Sequence, residues 1–122
     1  MLRSGRFGTR DLPRAREFYD AVAATLGASR VMDLDRMTGW CGPDGAMLVI
    51  GLPLEGEASV GNGVQLMLDA PSRAAVDAAH AEAIRRGGTC EGAPGMRGDV
   101  YYAAYFRDLD GNKLAVACTT PE

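Results

Sequence analysis

The sequence predicts an α+β domain built from two tandem copies of one unit: a strand, a helix and three more strands (βαβββ). Three observations carry this. Two helical stripes begin and end at the same spacing, since Ser72 lies 61 positions after Asp11 and Gly88 lies 61 positions after Gly27. Two Asp-Gly turns, Asp44-Gly45 and Asp110-Gly111, lie 66 positions apart. Short runs of strand-like residues fill the remaining places in the same order in both halves. Neither half is large enough to bury a good core alone, so the two must pack together. The expectation is a single domain, 1–122, with a first module of about 1–54, a linker at 55–62 and a second module of about 63–120.

The elements follow in chain order. Leu2–Gly8 reads as the opening strand. Leu12, Ala15, Tyr19, Val22 and Leu26 repeat at steps of three and four, with Asp11 as N-cap, Pro13 in the first turn and Gly27 as the stop. Arg30–Asp33, Thr38–Cys41 and Ala46–Gly51 read as strands, the last two joined by the turn Gly42-Pro43-Asp44-Gly45. Glu55–Asn62 is polar or small, lacks periodicity and reads as a linker. Val64–Asp69 opens the second half. Val76, Ala79, Ala83 and Ile84 form the second helical stripe, capped by Ser72 and ended by Gly87-Gly88, with Arg85 and Arg86 near the negative end of the helix dipole. Thr89–Glu91, Tyr101–Arg107 and Leu114–Cys118 complete the pattern. Gly92–Asp99, with three glycines and a proline, reads as a connector or a flap ahead of the last hairpin.

Composition narrows the function. The formal net charge is −3, so no basic field attracts nucleic acid or anionic membrane. No run reaches the length of a membrane span, and the N-terminus shows no signal-peptide core, so a cytoplasmic location is expected. Cys41, Cys90 and Cys118 form no C-x-x-C pair and read as structural thiols. Asp108, Asp110 and Asn112 resemble part of a calcium loop, but the twelfth position would be Thr119, which is no bidentate acid. His80, the single histidine, falls on the second helix as a packed or half-exposed structural residue.

Three stretches carry a family resemblance. GTRDLPRAREFYDAVAATLG (Gly8–Gly27), APSRAAVDAAHAEAIRRGGTCEGAPG (Ala70–Gly95) and YYAAYFRDLDGNKLAVAC (Tyr101–Cys118) resemble the first helix, second helix and last hairpin of the vicinal oxygen chelate superfamily. That superfamily includes glyoxalase I, extradiol dioxygenases, and the fosfomycin- and bleomycin-resistance proteins. The resemblance implies a curved mixed sheet around a pocket, commonly completed in a homodimer. It also implies that metal-using members carry His, Gln or Glu ligands on the first and last strand of each half. The equivalent slots here are Ser4, Val49, Gln65 and Ala115. Two are aliphatic and two are neutral oxygen donors, which cannot replace the water of a divalent cation, so no metal and no other cofactor is expected.

Strand alternation extends the slots into a candidate pocket: Ser4, Arg6, Met47, Val49, Gln65, Met67, Tyr101, Tyr105 and Ala115. Arg6 has two readings. Its guanidinium forks onto a carboxylate or enolate in place of a metal, or it pairs with Asp69 or reaches solvent at the sheet edge. Tyr101, Tyr102 and Tyr105 form a tyrosine cluster in sequence, able to donate hydrogen bonds or to fill space. Catalytic residues are not identifiable. Three functions follow: a metal-free protein that sequesters a small molecule; a glyoxalase-like lyase or dioxygenase with altered metal ligands; and a metal-independent isomerase or lyase using Arg6 and a tyrosine.

Overall fold

A computed structural model describes residues 1–119; residue 120, the expected end of the second module, and residues 121–122 lie outside the described residues. The first module comprises β1 (Ser4–Gly8), α1 (Leu12–Thr25), β2 (Ser29–Asp33), β3 (Met37–Cys41) and β4 (Met47–Gly51). The second comprises β5 (Leu66–Asp69), α2 (Arg73–Arg85), β6 (Thr89–Arg97), β7 (Tyr101–Arg107) and β8 (Lys113–Cys118). Each module folds into a four-stranded mixed sheet, ordered β1-β4-β3-β2 and β5-β8-β7-β6. In both, the opening strand runs parallel to the closing strand while the other pairs are antiparallel.

Local chemistry sets the helix ends. The Asp11 carboxylate accepts from the Arg14 amide at 3.1 Å, and the Ser72 hydroxyl from the Ala75 amide at 3.1 Å, each satisfying an otherwise unpartnered first-turn donor. Gly27 and Gly87 lie past the helix ends at φ of 73° and 100°, a region that side-chain-bearing residues rarely enter. Val76, Ala79 and Ala83 are buried as the stripe requires. Ile84 is not part of it: its side chain is 37% exposed.

The larger departure is β6. The expected connector from Gly92 is strand as far as Arg97, paired with β7 in a register that shifts between Cys90 and Gly92 and again between Gly92 and Gly95. Glycine and proline made this stretch look irregular. On an edge strand, proline loses no ladder bond and glycines mark the bulges, so both are compatible with pairing.

The two modules share one hydrophobic core. The helices lie against each other, and Phe18 of α1 meets Phe106 of β7 with ring centroids 6.3 Å apart. Tyr19 packs between Phe18, edge to face at 5.1 Å, and Trp40, tilted at 5.6 Å. Phe7, Trp40 and Ile50 enter this core from the first sheet, and Ala104, Phe106, Leu114 and Val116 from the second. A buried polar latch reinforces the contact. The Asp108 carboxylate accepts from the Tyr19 hydroxyl and from the amide and side chain of Asn112, while Asn112 Nδ2 also donates to the Gly8 carbonyl. Asp110 accepts from the Arg10 amide and the Thr9 hydroxyl. The last turn of the second module is thus bolted to the β1–α1 junction of the first. These acids are committed to protein donors, which disposes of the calcium-loop resemblance.

Candidate functional site

Because side chains alternate along a strand, burying one set in the helical core turns the other set to the opposite face. In the first sheet Phe7 and Ile50 point to the helices. Ser4 and Arg6 of β1 and their ladder partners Met47 and Val49 of β4 therefore share the non-helical face. Val49 is buried there, Met47 half-buried, and Ser4 and Arg6 exposed. Arg6 Nη2 donates to the Leu52 carbonyl at 2.8 Å, and Nη1 lies 3.8 Å from the Met37 sulfur. The expected alternative partner, Asp69, does not hold it.

In the second sheet Leu114, Val116 and Phe106 point to the helices, so Ala115, Ala117, Ala103, Tyr105 and Tyr101 occupy the other face. Met67 pairs with Ala115 and joins them. Ala103, Ala115 and Ala117 are buried and form a low floor; longer side chains stand around it. The Tyr101 and Tyr105 hydroxyls approach to 3.5 Å. The Arg97 guanidinium and the Lys113 ammonium lie 5.2 and 5.7 Å from the Tyr105 ring centre, within cation–π range. The hydrogen bond to Tyr105 and that neighbour's charge hold the Tyr101 phenol above its ordinary range. Tyr102 leaves the cluster: it points to the helical side and donates to Asp77 of α2 at 2.7 Å. Gln65 lies just ahead of β5, exposed, in a polar recess with Asn62, Arg107 and Lys113.

The candidates are thus gathered into two groups, Ser4, Arg6, Met47 and Val49 on one sheet and Gln65, Met67, Tyr101, Tyr105 and Ala115 on the other. Both groups lie on faces turned from the shared core. Within one chain only Ser4, Met47 and Met67 of these candidates line a common cavity.

An apolar cavity of about 480 Å³ opens between the modules. Tyr19, Val22 and Leu26 of α1, with Trp40 and Leu48, form one wall; Leu66, Leu68 and Pro71 form the other. Ser4, Met47 and Met67 reach it, and Asp44 and Asp69 are its carboxylates. Alternation placed Ser4, Met47 and Met67 in a pocket and gave no sign of Leu48, Leu66 and Leu68. Nothing in a strand pattern tells a filled core from a gap left where two sheets meet.

The side chains at the four metal slots do not fit a divalent ion. Val49 and Ala115 present only buried hydrocarbon, and Ser4 and Gln65 supply neutral oxygens. Among the described residues, no group of three or more His, Cys, Asp or Glu side chains is placed to hold one. His80 on α2 contacts Cys90 of β6 instead. Among the described residues, no helix is long and apolar enough to cross a membrane.

The family model described as Glyoxalase/Bleomycin resistance protein/Dioxygenase superfamily matches residues 6–116. No curated protein matches the chain. Among solved structures, a glyoxalase/bleomycin resistance protein from Albidiferax ferrireducens T118 is 36% identical over 99% of both chains, with a TM-score of 0.90. A lactoylglutathione lyase from Agrobacterium tumefaciens is 21% identical over 97% of this chain and 92% of its own, with a TM-score of 0.69. The fosfomycin resistance protein FosX from Mesorhizobium loti is 17% identical over 98% and 92%, with a TM-score of 0.68. The last two are similar in fold alone.

Proposed function

Because this chain belongs to the glyoxalase/bleomycin resistance protein/dioxygenase superfamily, we propose that it is a metal-free protein that binds and sequesters a small organic molecule. The observation that carries the proposal is the alanine floor of the second sheet, Ala103, Ala115 and Ala117, ringed by Met67, Tyr101 and Tyr105. The alanines are covered by their neighbours within one chain, so the surface offered to a planar or aromatic body is that of the surrounding tyrosine and methionine side chains, which are polarisable. Arg97 and Lys113 beside Tyr105, and Arg6 on the other sheet, favour a ligand that carries a carboxylate or enolate. Two chains meeting with these faces opposed would close the site, so the binding form is a homodimer.

The test is a thermal-shift screen of small carboxylates, quinones and aromatic antibiotics, with mass measured by light scattering. A ligand in excess raises the melting midpoint. Arg6→Ala is expected to weaken a carboxylate ligand about tenfold or more, the loss of roughly one charge-assisted hydrogen bond. A strictly monomeric protein, or a ligand indifferent to both Arg6→Ala and Tyr105→Phe, overturns this site.

The cavity between the modules supports a second placement of the ligand. Leu66→Trp would fill that cavity while sparing the Arg6 and Tyr105 faces, so loss of binding in this variant alone assigns the ligand to the cavity. The Tyr101–Tyr105 pair supports turnover as a metal-independent isomerase or lyase, with Tyr101 as acid and Arg6 holding the enolate; any ligand found is assayed for conversion. The third reading, a lyase or dioxygenase with altered metal ligands, requires stoichiometric metal in the purified protein.

A further inference from the structure

Away from the two sheet faces, α2 and β6 bring together a nucleophile and a base. His80 Nε2 lies 3.3 Å from Cys90 Sγ. Cys90 is exposed and reachable from solvent, while His80 is half-buried. The pairing depends on the fold. Arg73, Asp77 and His80 follow the helical steps of four and three, so they lie along one stripe of α2. Tyr102 of β7 takes up the first two: its ring stacks under the Arg73 guanidinium and its hydroxyl donates to Asp77. His80 continues that stripe to the edge strand, where Cys90, the ladder partner of the core residue Phe106, turns its sulfur toward the helix.

We propose that Cys90 and His80 form a reactive thiol site that captures soft electrophiles of the α,β-unsaturated carbonyl class. Burial of His80 lowers its pKa from the ordinary value, while Asp77 opposes the shift, so the imidazole is neutral at pH 7 and able to accept a proton. The Cys90 proton passes to Nε2, and the sulfur electron pair forms a C–S bond at the β-carbon of the enone. The π pair moves onto the carbonyl oxygen as an enolate, and the imidazolium returns the proton to the α-carbon. Thiol and enone become one thioether, with no oxidant and no leaving group. Asp77 favours the transient imidazolium. Cys41 has no such partner: its sulfur contacts the Gly45 carbonyl at 3.7 Å, an acceptor that removes no proton. Cys118 is buried.

The probe is N-ethylmaleimide, itself a reagent of this class, with the adduct at each cysteine quantified by peptide mass mapping at pH 7. Cys90 is expected to react first. His80→Gln is expected to slow Cys90 about fivefold, through loss of the general base, and to leave Cys41 unchanged. Asp77→Asn, which keeps the imidazole, is expected to slow Cys90 by a smaller factor. Appearance of Cys118 adduct in His80→Gln would report loss of the fold, and Asp77→Asn then decides. Cys90 reacting no faster than Cys41, or unslowed by the variant that decides, overturns the proposal.

Discussion

Tyr19 and Asp108, 89 positions apart, are joined by a hydrogen bond of 2.6 Å inside the core, with the phenol donating to the carboxylate. The two residues belong to different modules, so the bond belongs to the interface that makes one domain of two repeats. Burial first, and then the adjacent Asp108 charge, raise the Tyr19 phenol well above its ordinary value. Tyr19→Phe removes one donor to a buried carboxylate and is expected to cost about 1–3 kcal/mol in denaturant unfolding. The sign of the pH effect follows from the raised folded-state value. The contribution is complete below the unfolded tyrosine value of roughly 10 and declines as pH rises past it, and Tyr19→Phe should lose that alkaline decline. Asp108→Ala strands the Tyr19 hydroxyl and Asn112 together, and is expected to cost about 3 kcal/mol or more.

Ala115→Glu places an acid where the family resemblance implies a metal ligand. The position is fully buried beside Tyr105 and Met67, so the carboxyl is expected to destabilise by about 3 kcal/mol at pH 8. Its folded-state pKa must be raised, and the loss should therefore be smaller at pH 5 than at pH 8. Adding Ni²⁺ or Mn²⁺ should not restore the melting midpoint, because Ser4, Val49 and Gln65 do not complete a ligand set. A rise of several degrees at stoichiometric metal would refute this.

His80 is the single histidine of the chain, and burial depresses its pKa from the ordinary value. A depressed folded-state value means the unfolded chain takes up the proton first. Stability is therefore complete above the unfolded value of roughly 6.5 and falls as pH drops from there through the lower folded value. Urea unfolding at pH 7.5, 6.5 and 5.5 should show this decline in the wild type and less of it in His80→Gln.

Gly51 ends β4 beneath Arg6. A Cβ added there would lie 2.8 Å from Met37 Cβ, 2.9 Å from the Arg36 carbonyl oxygen and 3.1 Å from Arg6 Nη2. Two of these belong to rigid parts of the chain, so Gly51→Ala is expected to cost about 1–3 kcal/mol by overpacking. It should also displace the guanidinium from the Leu52 carbonyl, which would weaken any ligand that depends on Arg6. Thermal melts and ligand titration of this one variant read both effects.

Local chemistry was enough to read the repeat, the helix caps and the facing of the strand residues named as pocket candidates. Asp11, Ser72, Gly27, Gly87 and the Asp-Gly turns act through bonds and dihedral angles a few residues away, so their meaning survives without the rest of the chain. Alternation correctly grouped Arg6 with Val49 and Met67 with Ala115, and the ladders pair them. Long-range packing set how those faces are disposed. Both sheets commit their other faces to one helical core, so the two groups meet only at the cavity between the sheets, which Ser4, Met47 and Met67 reach. Long-range packing likewise decided that Gly92–Arg97 is strand, because an edge partner overrides local irregularity. The meeting of His80 with Cys90, and of Tyr19 with Asp108, rests on docking α2 onto β6 and one module onto the other. Such contacts depend on distances across the core, for which residue spacing along the chain carries no measure.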